Sequence, residues 1–437
     1  MKINARSVAL DTLLKIFKQK SYSNIALNNA LEKSQLSPID KALTTQIVYG
    51  TVQYKLYLEY QLKSLVKTKL KEDYLWPLLL MSAYQYFFLD KIPTASIVDE
   101  ANKLAKSYSP KGSQSYRLVN GILRSLVRRG EILPEEKDAV KYMSIKYSYP
   151  QWLVKYCLDH FGKTKTISIL QAGNMPSVNS IRIADMSKKD EILHKLATEY
   201  KISISNLTNH NVNLDHGSIT NSQLFKDGLI TIQDSAASLV VDAFNFKGDE
   251  KVLDACSAPG GKTAQIAEYL TTGKVFALDI HQKKLNLVKQ TLTRLHQDQK
   301  LIMKALDARK VNEYFFGQQF DKILVDAPCS GLGLIRRKPE VRYEKQMEDL
   351  KHLSEIQYNI LDHVAGLLAE NGELVYSTCT ISIEENEDVV KRFLTNHPDF
   401  SLAPFEVGNL SKCKMIKIFP DDYNSDGFFI AKFVKRG

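Results

Sequence analysis

Hydrophobic and polar positions change their rhythm twice along the chain. Up to about residue 140 the apolar residues recur at helical intervals. Leu10, Leu13, Leu14 and Phe17 fall at i, i+3, i+4 and i+7, the stripe of one helix face. Pro38, Pro77, Pro93 and Gly112 cut this region into segments of helical length. Around residues 130–150 the pattern loosens into an acidic cluster (Glu131, Glu135, Glu136, Asp138) followed by Tyr149-Pro150, which reads as a linker. From Gln151 to about Gly228 an apolar helix over 152–161 mixes with short strand-like runs such as Ser180-Ile-Arg-Ile. From about residue 229, strands over 251–254, 274–279, 321–326 and 372–376 alternate with helices, for example 283–295 and 350–368. Such alternation predicts parallel pairing with right-handed crossovers. The expected architecture is therefore multidomain: an all-α domain over 1–140, a linker with a small α/β subdomain over 141–228, and a doubly wound α/β domain over 229–437.

Composition narrows this little, and charge more. With 437 residues, 44% of them hydrophobic and 25% charged, two or three soluble domains with sizeable cores are expected. The most apolar run, Leu75 to Leu89, is broken by Pro77, Ser82 and Gln85, so no membrane span is predicted. The opening Met1-Lys-Ile-Asn-Ala-Arg lacks the layout of a signal peptide. Five cysteines without metal-ligand spacing predict no metal site and a reducing, cytoplasmic compartment. Nothing in the pattern calls for an obligate oligomer, so a monomer is expected. Residues 1–150 hold 23 Lys and Arg against 13 Asp and Glu, while the remainder holds 36 of each. The whole excess of positive charge lies in the helical third, which suits a module that meets polyanions. Arg117, Arg124 and Arg128, at spacings of seven and four, share one helix face and are candidates for phosphate contact.

Three loops carry the chemistry. The first, Asp254-Ala-Cys-Ser-Ala-Pro-Gly-Gly-Lys-Thr, follows a predicted strand. It matches a phosphate-wrapping Walker loop only at Gly261, Lys262 and Thr263, because Cys256 stands where the first glycine is needed. The dinucleotide fingerprint G-x-G-x-x-G is absent as well. An S-adenosylmethionine cradle fits better: Cys256, Ser257, Ala258, Pro259, Gly260, Gly261 and Lys262 form a short turn that lets backbone approach a ligand. Asp279, at the end of the next strand, is placed for the ribose hydroxyls, and Asp307, after a third strand, for the adenine edge. The other two loops, Asp326-Ala-Pro-Cys-Ser-Gly and Ser377-Thr-Cys-Thr, each put a cysteine just past a strand end. They read as two thiols, Cys329 and Cys379, aimed at a common pocket. For Cys157, Cys413 and Cys256 packing is the simpler expectation.

These three loops resemble signature motifs of the RNA cytosine-5 methyltransferases of the NOL1/NOP2/Sun family. Glu384-Glu-Asn-Glu, Gln233-Asp-Ser-Ala-Ala-Ser-Leu-Val, Arg336-Arg-Lys-Pro-Glu-Val-Arg and Asp426-Gly-Phe-Phe-Ile-Ala look like further family blocks, so the resemblance spans about residues 145–437. The helical region resembles the NusB-like RNA-binding domain of one bacterial subgroup, the 16S ribosomal RNA cytosine-5 methyltransferases. The resemblance implies a class I, Rossmann-like methyltransferase domain, S-adenosylmethionine as cofactor and 16S ribosomal RNA as partner. It also implies a role in RNA recognition for the small α/β subdomain. By resemblance Cys379 is the nucleophile, Cys329 assists product release, and Asp326 and Lys262 hold the base, Asp326 lying beside the cofactor too. Arg336, Arg337 and Arg342 would then meet RNA near the pocket. Tyr149 stands where relatives often have His, and Tyr343 where Trp is common. Two rivals stay open: the same chemistry on transfer RNA or large-subunit RNA, and a silent RNA-binding assembly factor.

Overall fold

The stripe at Leu10 and Leu13 becomes the fully buried face of the helix Ala5–Gln19, with Leu14 and Phe17 packed at its edge. The computed structural model describes residues 3–436 apart from 20, 216 and 218. The helix Leu75–Phe88 buries Leu75, Leu78, Leu79, Leu80 and Met81, on successive positions, so it runs through the centre of its bundle rather than along the surface. Pro38 opens the helix Pro38–Gln53 behind Ser37, whose hydroxyl accepts from the Asp40 amide at 3.2 Å. In the stretch expected to be a linker, Asp138 caps a helix, Ala139–Tyr147, and the longer Gln151–Ala172 follows, broken at Gly162.

The chain divides into two compact units. The first runs to Asn174 and also takes in Arg337–Glu344, a segment from the middle of the C-terminal region. Arg342, expected at the RNA, is wholly buried there. Its guanidinium stands 3.9 Å over the Tyr149 ring and donates to the carbonyls of Ser148 (3.3 Å) and Gly173 (3.1 Å) and to Asn174 Oδ1 (2.8 Å). A group so committed is not on offer to a phosphate; it closes helix ends instead. Tyr343 does the same, its hydroxyl donating to the Gln53 carbonyl at 2.6 Å. The two departures from the family pattern, Tyr149 and Tyr343, thus both sit in packing of this unit.

The second unit holds two sheets. In the smaller, β1 (Asn179–Ile183), β2 (Ile202–Ile204), β3 (Asn211–Leu214) and β4 (Ile230–Ile232) are antiparallel in the order β2-β3-β1-β4. Their inward side chains, Ile181, Ile183, Val212 and Ile230, pack on Ile192 and Leu196 of the helix Lys189–Glu199.

The larger sheet comprises β5 (Lys251–Asp254), β6 (Lys274–Asp279), β7 (Leu301–Ala305), β8 (Phe320–Asp326), β9 (Leu368–Thr378), β10 (Phe400–Leu402), β11 (Met415–Ile418) and β12 (Phe428–Lys435). Its order is β10-β12-β9-β8-β5-β6-β7, with β11 also on β12. From β7 to β9 the pairing is parallel, as strand–helix alternation requires. Past β9 it becomes antiparallel: the helix Glu387–Asn396 returns the chain to β10, whereas β12 is entered from β11 through a loop with no helix, so it runs against β9, β10 and β11. Alternate residues of one strand face opposite layers. Val252 packs with Ala264, Ile266 and Val288, whereas Leu253 packs with Leu361, Val364 and Val390. Both faces are therefore covered. The chain leaves β5 for β6 on one side and later returns to β8 on the other, so a crevice opens at the carboxyl ends of β5 and β8.

Candidate active site

Asp254 closes β5 inside that crevice with 1% of its surface exposed. Its Oδ2 accepts from Thr263 Oγ1 at 2.7 Å, while Oδ1 has no partner among the described residues. Burial, with the nearby charge of Asp326 adding to it, pushes this carboxyl up to about 7. Ser257 ties the loop to the end of β6, its amide and hydroxyl both donating to the Leu278 carbonyl at 2.8 Å. Gly260 then turns with φ 107, and a Cβ there would lie 2.8 Å from the Cα of Val288. Gly261 begins the helix Gly261–Tyr269, whose first-turn amides have no helical acceptors of their own. A free helix N-terminus beside an orphaned buried carboxylate oxygen fits a ligand carrying both a carboxylate and an ammonium group, as the methionine part of S-adenosylmethionine does.

The two further aspartates differ in availability. Asp279, at the end of β6, is partly exposed, and among the described residues its carboxylate accepts only the His281 amide, at 2.8 Å. Asp307 is gripped by Arg309, whose Nη2 lies 2.6 Å from Oδ2 and whose Nε lies 3.0 Å from Oδ1. Those hydrogen bonds hold its carboxyl below the usual range. Any adenine contact at Asp307 competes with this fork. Cys256, Ala258 and Pro259 complete the loop; burial pushes the Cys256 thiol up, as suits a packed rather than a reactive sulfur.

Asp326 ends β8 in register with Ser377 of β9. Its Oδ1 accepts from Ser377 Oγ and its Oδ2 from Lys262 Nζ, each at 2.8 Å. The Lys262 ammonium also stands 4.8 Å over the Phe428 ring of β12. Beyond these strand ends the two loops bring Cys329 Sγ and Cys379 Sγ to 3.1 Å, although 50 residues separate them in sequence. The hydrogen bond to Cys379 and burial raise the Cys329 thiol well above its ordinary value. The chain is close at this point: Gly333 donates to the Cys379 carbonyl at 3.0 Å, and a Cβ on Gly333 would meet the Gly427 carbonyl at 2.1 Å.

The structure thus brings Cys329, Cys379, Asp326, Lys262 and the glycine loop together. It does not bring Arg336 to an exposed position. That guanidinium donates to the Pro420 carbonyl (2.5 Å) and to Asn424 Oδ1 (2.8 Å), holding the loop between β11 and β12. Arg337 is partly exposed, and Arg117, Arg124 and Arg128 are exposed on the helix Ser115–Arg129. Ser377 and Glu385 carry no mark of function in the sequence: Glu385 is one acid in the run Glu384-Glu-Asn-Glu, and nothing in the pattern shows that it is buried. Among the described residues no group of three His, Cys, Asp or Glu side chains is arranged for a metal ion, and no helix is long and apolar enough to cross a membrane.

Comparison with known proteins gives two family matches: residues 241–434 match the family described as 16S rRNA methyltransferase RsmB/F, and residues 3–128 match the NusB family. A Bacillus subtilis protein described as a probable ribosomal RNA small subunit methyltransferase B is 38% identical, with 100% of each chain covered. The ribosomal RNA small subunit methyltransferase B of Vibrio vulnificus is 32% identical over 99% of this chain and 100% of its own. Among solved structures, a methyltransferase homolog from Pyrococcus horikoshii superposes with a TM-score of 0.60 at 27% identity, covering 68% of this chain and 99% of that one.

Proposed function

The chain belongs to the ribosomal RNA small subunit methyltransferase B family, and from that premise we propose that it methylates carbon 5 of a cytosine in 16S ribosomal RNA through a covalent cysteine–cytosine adduct. The observation that carries the proposal is the pair of thiols 3.1 Å apart beside the Lys262–Asp326 pair. Methylation at nitrogen or at a ribose hydroxyl needs no sulfur nucleophile, whereas carbon 5 of cytosine is too weak a nucleophile to react unaided.

Bound S-adenosylmethionine supplies an electrophilic methyl group on a sulfonium centre. Asp254 and the amides opening the helix Gly261–Tyr269 would hold its methionine end, and Asp279 its ribose. The protein's own work lies on the base. Cys379 Sγ, as thiolate, adds to carbon 6, and the ring electrons so displaced make carbon 5 nucleophilic. Lys262 and Asp326, locked to each other and to Ser377, orient the base and polarise it through its ring and amino groups. After carbon 5 is methylated, a base takes its proton. The carbon 6–sulfur bond then breaks, returning the thiolate to Cys379, with Cys329 assisting this release. The target cytosine must be unpaired or extruded to enter the crevice, at about a few kcal/mol. Arg117, Arg124, Arg128 and Arg337 are proposed to meet phosphates.

The test is incubation of the protein with S-adenosylmethionine and unmodified bacterial RNA, followed by bisulfite mapping of 5-methylcytosine. One new site in 16S RNA is expected. A site confined to transfer RNA or large-subunit RNA would keep the chemistry and discard the substrate. A methyl group on any other atom would overturn the proposal.

A further inference from the structure

Beneath the two thiols lies one buried carboxylate that the mechanism above does not use. Glu385 has no exposed surface. Its Oε1 accepts from the hydroxyls of Ser330 (2.5 Å) and Ser382 (2.8 Å). Its Oε2 accepts from the Ser330 amide (2.8 Å) and Gln357 Nε2 (3.0 Å). Ser330 directly follows Cys329, and Ser382 lies in the turn that follows Cys379. Thr380, directly after Cys379, shares a 2.8 Å hydrogen bond with Ser330 Oγ. Gln357 also donates to the Pro328 carbonyl at 2.9 Å, and Tyr376 donates to the Glu385 carbonyl at 2.6 Å. One side chain therefore ties the residue directly after Cys329 to a residue three positions after Cys379.

Among the described residues its four donors, from Ser330, Ser382 and Gln357, are all neutral, so this buried carboxylate is held by hydrogen bonds rather than by an ion pair. Burying a carboxylate is costly, and two loops can be closed by uncharged groups. A charge-assisted clamp is shorter and stiffer than a neutral one, which matters where two sulfurs must stay within contact distance. The negative charge also reinforces the elevation of the Cys329 thiol, behind the effects of its hydrogen bond to Cys379 and of burial.

Resting on the two-thiol reading above, we propose that Glu385 is a positioning residue: its carboxylate fixes Cys329 and Cys379 side by side in the geometry that adduct formation and release need. Glu385→Gln keeps the volume but sets an amide N–H against donors. Misplacement of a reacting group by about 1 Å costs about 100-fold. The expected result is a fall in kcat of about that size, with KM for S-adenosylmethionine and RNA within about twofold of the parent.

A second readout needs no methylation. Diamide oxidises two adjacent thiols to a disulfide, taking their two hydrogens and being reduced to the hydrazine. Its rate for Cys329–Cys379, followed by mass spectrometry of peptides, reports sulfur proximity directly. That rate is expected to fall at least about tenfold in Glu385→Gln, with the variant still folded and its melting temperature lowered by about a few degrees for the donors left unsatisfied. An unchanged disulfide rate overturns the proposal, whatever happens to turnover. Should Glu385→Gln fail to fold, Ser382→Ala removes a single donor to Oε1 and must slow both kcat and disulfide formation severalfold; parental values for both overturn it. If the parent itself methylates no RNA, the functional reading fails while the disulfide rates still judge the clamp.

Discussion

Cys329 and Cys379 touch each other, yet they are expected to behave differently when removed. Cys379→Ala should lose methyl transfer by at least about 1000-fold while binding RNA as before, since a missing nucleophile removes the covalent route altogether. Cys329→Ala should instead form the adduct and fail to release it. The check is a denaturing gel for a protein–RNA band that survives detergent, and full turnover in either variant would refute its assigned role. Asp254 makes a separate prediction through its raised carboxyl, near 7 against an ordinary 3.8. A carboxyl raised in the folded state holds a proton that the unfolded chain has lost, so stability drops as pH climbs from about 4 to 7 and then levels off. Asp254→Asn has no such proton to lose. Its stability relative to the parent should rise over that window, measured by denaturant unfolding at several pH values. A donor brought to Oδ1 by the cofactor favours the charged carboxylate. Cofactor binding at pH 6 should therefore release a proton, read by calorimetry in two buffers of different ionisation enthalpy, and the release should vanish in Asp254→Asn.

Among the elements, the strand–loop–helix from β5 to Tyr269 decides most, because its turn carries the cofactor cradle. Gly260 has φ 107 and the Val288 backbone within 2.8 Å of where a Cβ would stand. Gly260→Ala should cost about 1–3 kcal/mol in strain and weaken cofactor affinity by at least about tenfold, because the turn and the helix start shift together. Unfolding curves and a titration with S-adenosylmethionine check the two effects; a parental Kd would show that the turn is not the cradle. The parallel strands of this region were legible in the residues. β5 and β6 span the ranges that the apolar runs predict, since each run is bounded by charge at its start and by an aspartate at its end. β12 was not legible as antiparallel, because an apolar run carries no direction; only its pairing with β9 supplies one.

At the scale of the molecule, the excess of positive charge over residues 1–150 coincides with the helical unit, and its exposed arginines are the ones proposed to contact phosphates. Replacing Arg117, Arg124 and Arg128 together by Ala should weaken RNA binding. It should also flatten the slope of log Kd against log salt by about 2, given roughly 0.7 per single-strand phosphate contact. Fluorescence anisotropy at three salt concentrations checks this, and an unchanged slope would return those side chains to plain solvation. Methyl transfer to a short RNA carrying the target should suffer less than binding of the whole substrate, because the thiols belong to the other unit.

Read alone, the chain already carried its division into a helical and an α/β part, the strand ends with their aspartates, the glycine turn and both thiols. Each of these is a local pattern, written in residues close together in sequence. What lay beyond it were outcomes that depend on which distant groups meet. Arg336 and Arg342 look like exposed cations in a basic run, but folding spends their hydrogen bonds on carbonyls and two Asn side chains, the acceptors for Arg342 lying more than 150 residues away. Glu385 looks like one acid in an acidic run, and only the closure of two loops around it makes it a buried clamp. Burial and partner choice are properties of three-dimensional neighbourhoods, and a charged side chain has the same letter whether water or a carbonyl satisfies it.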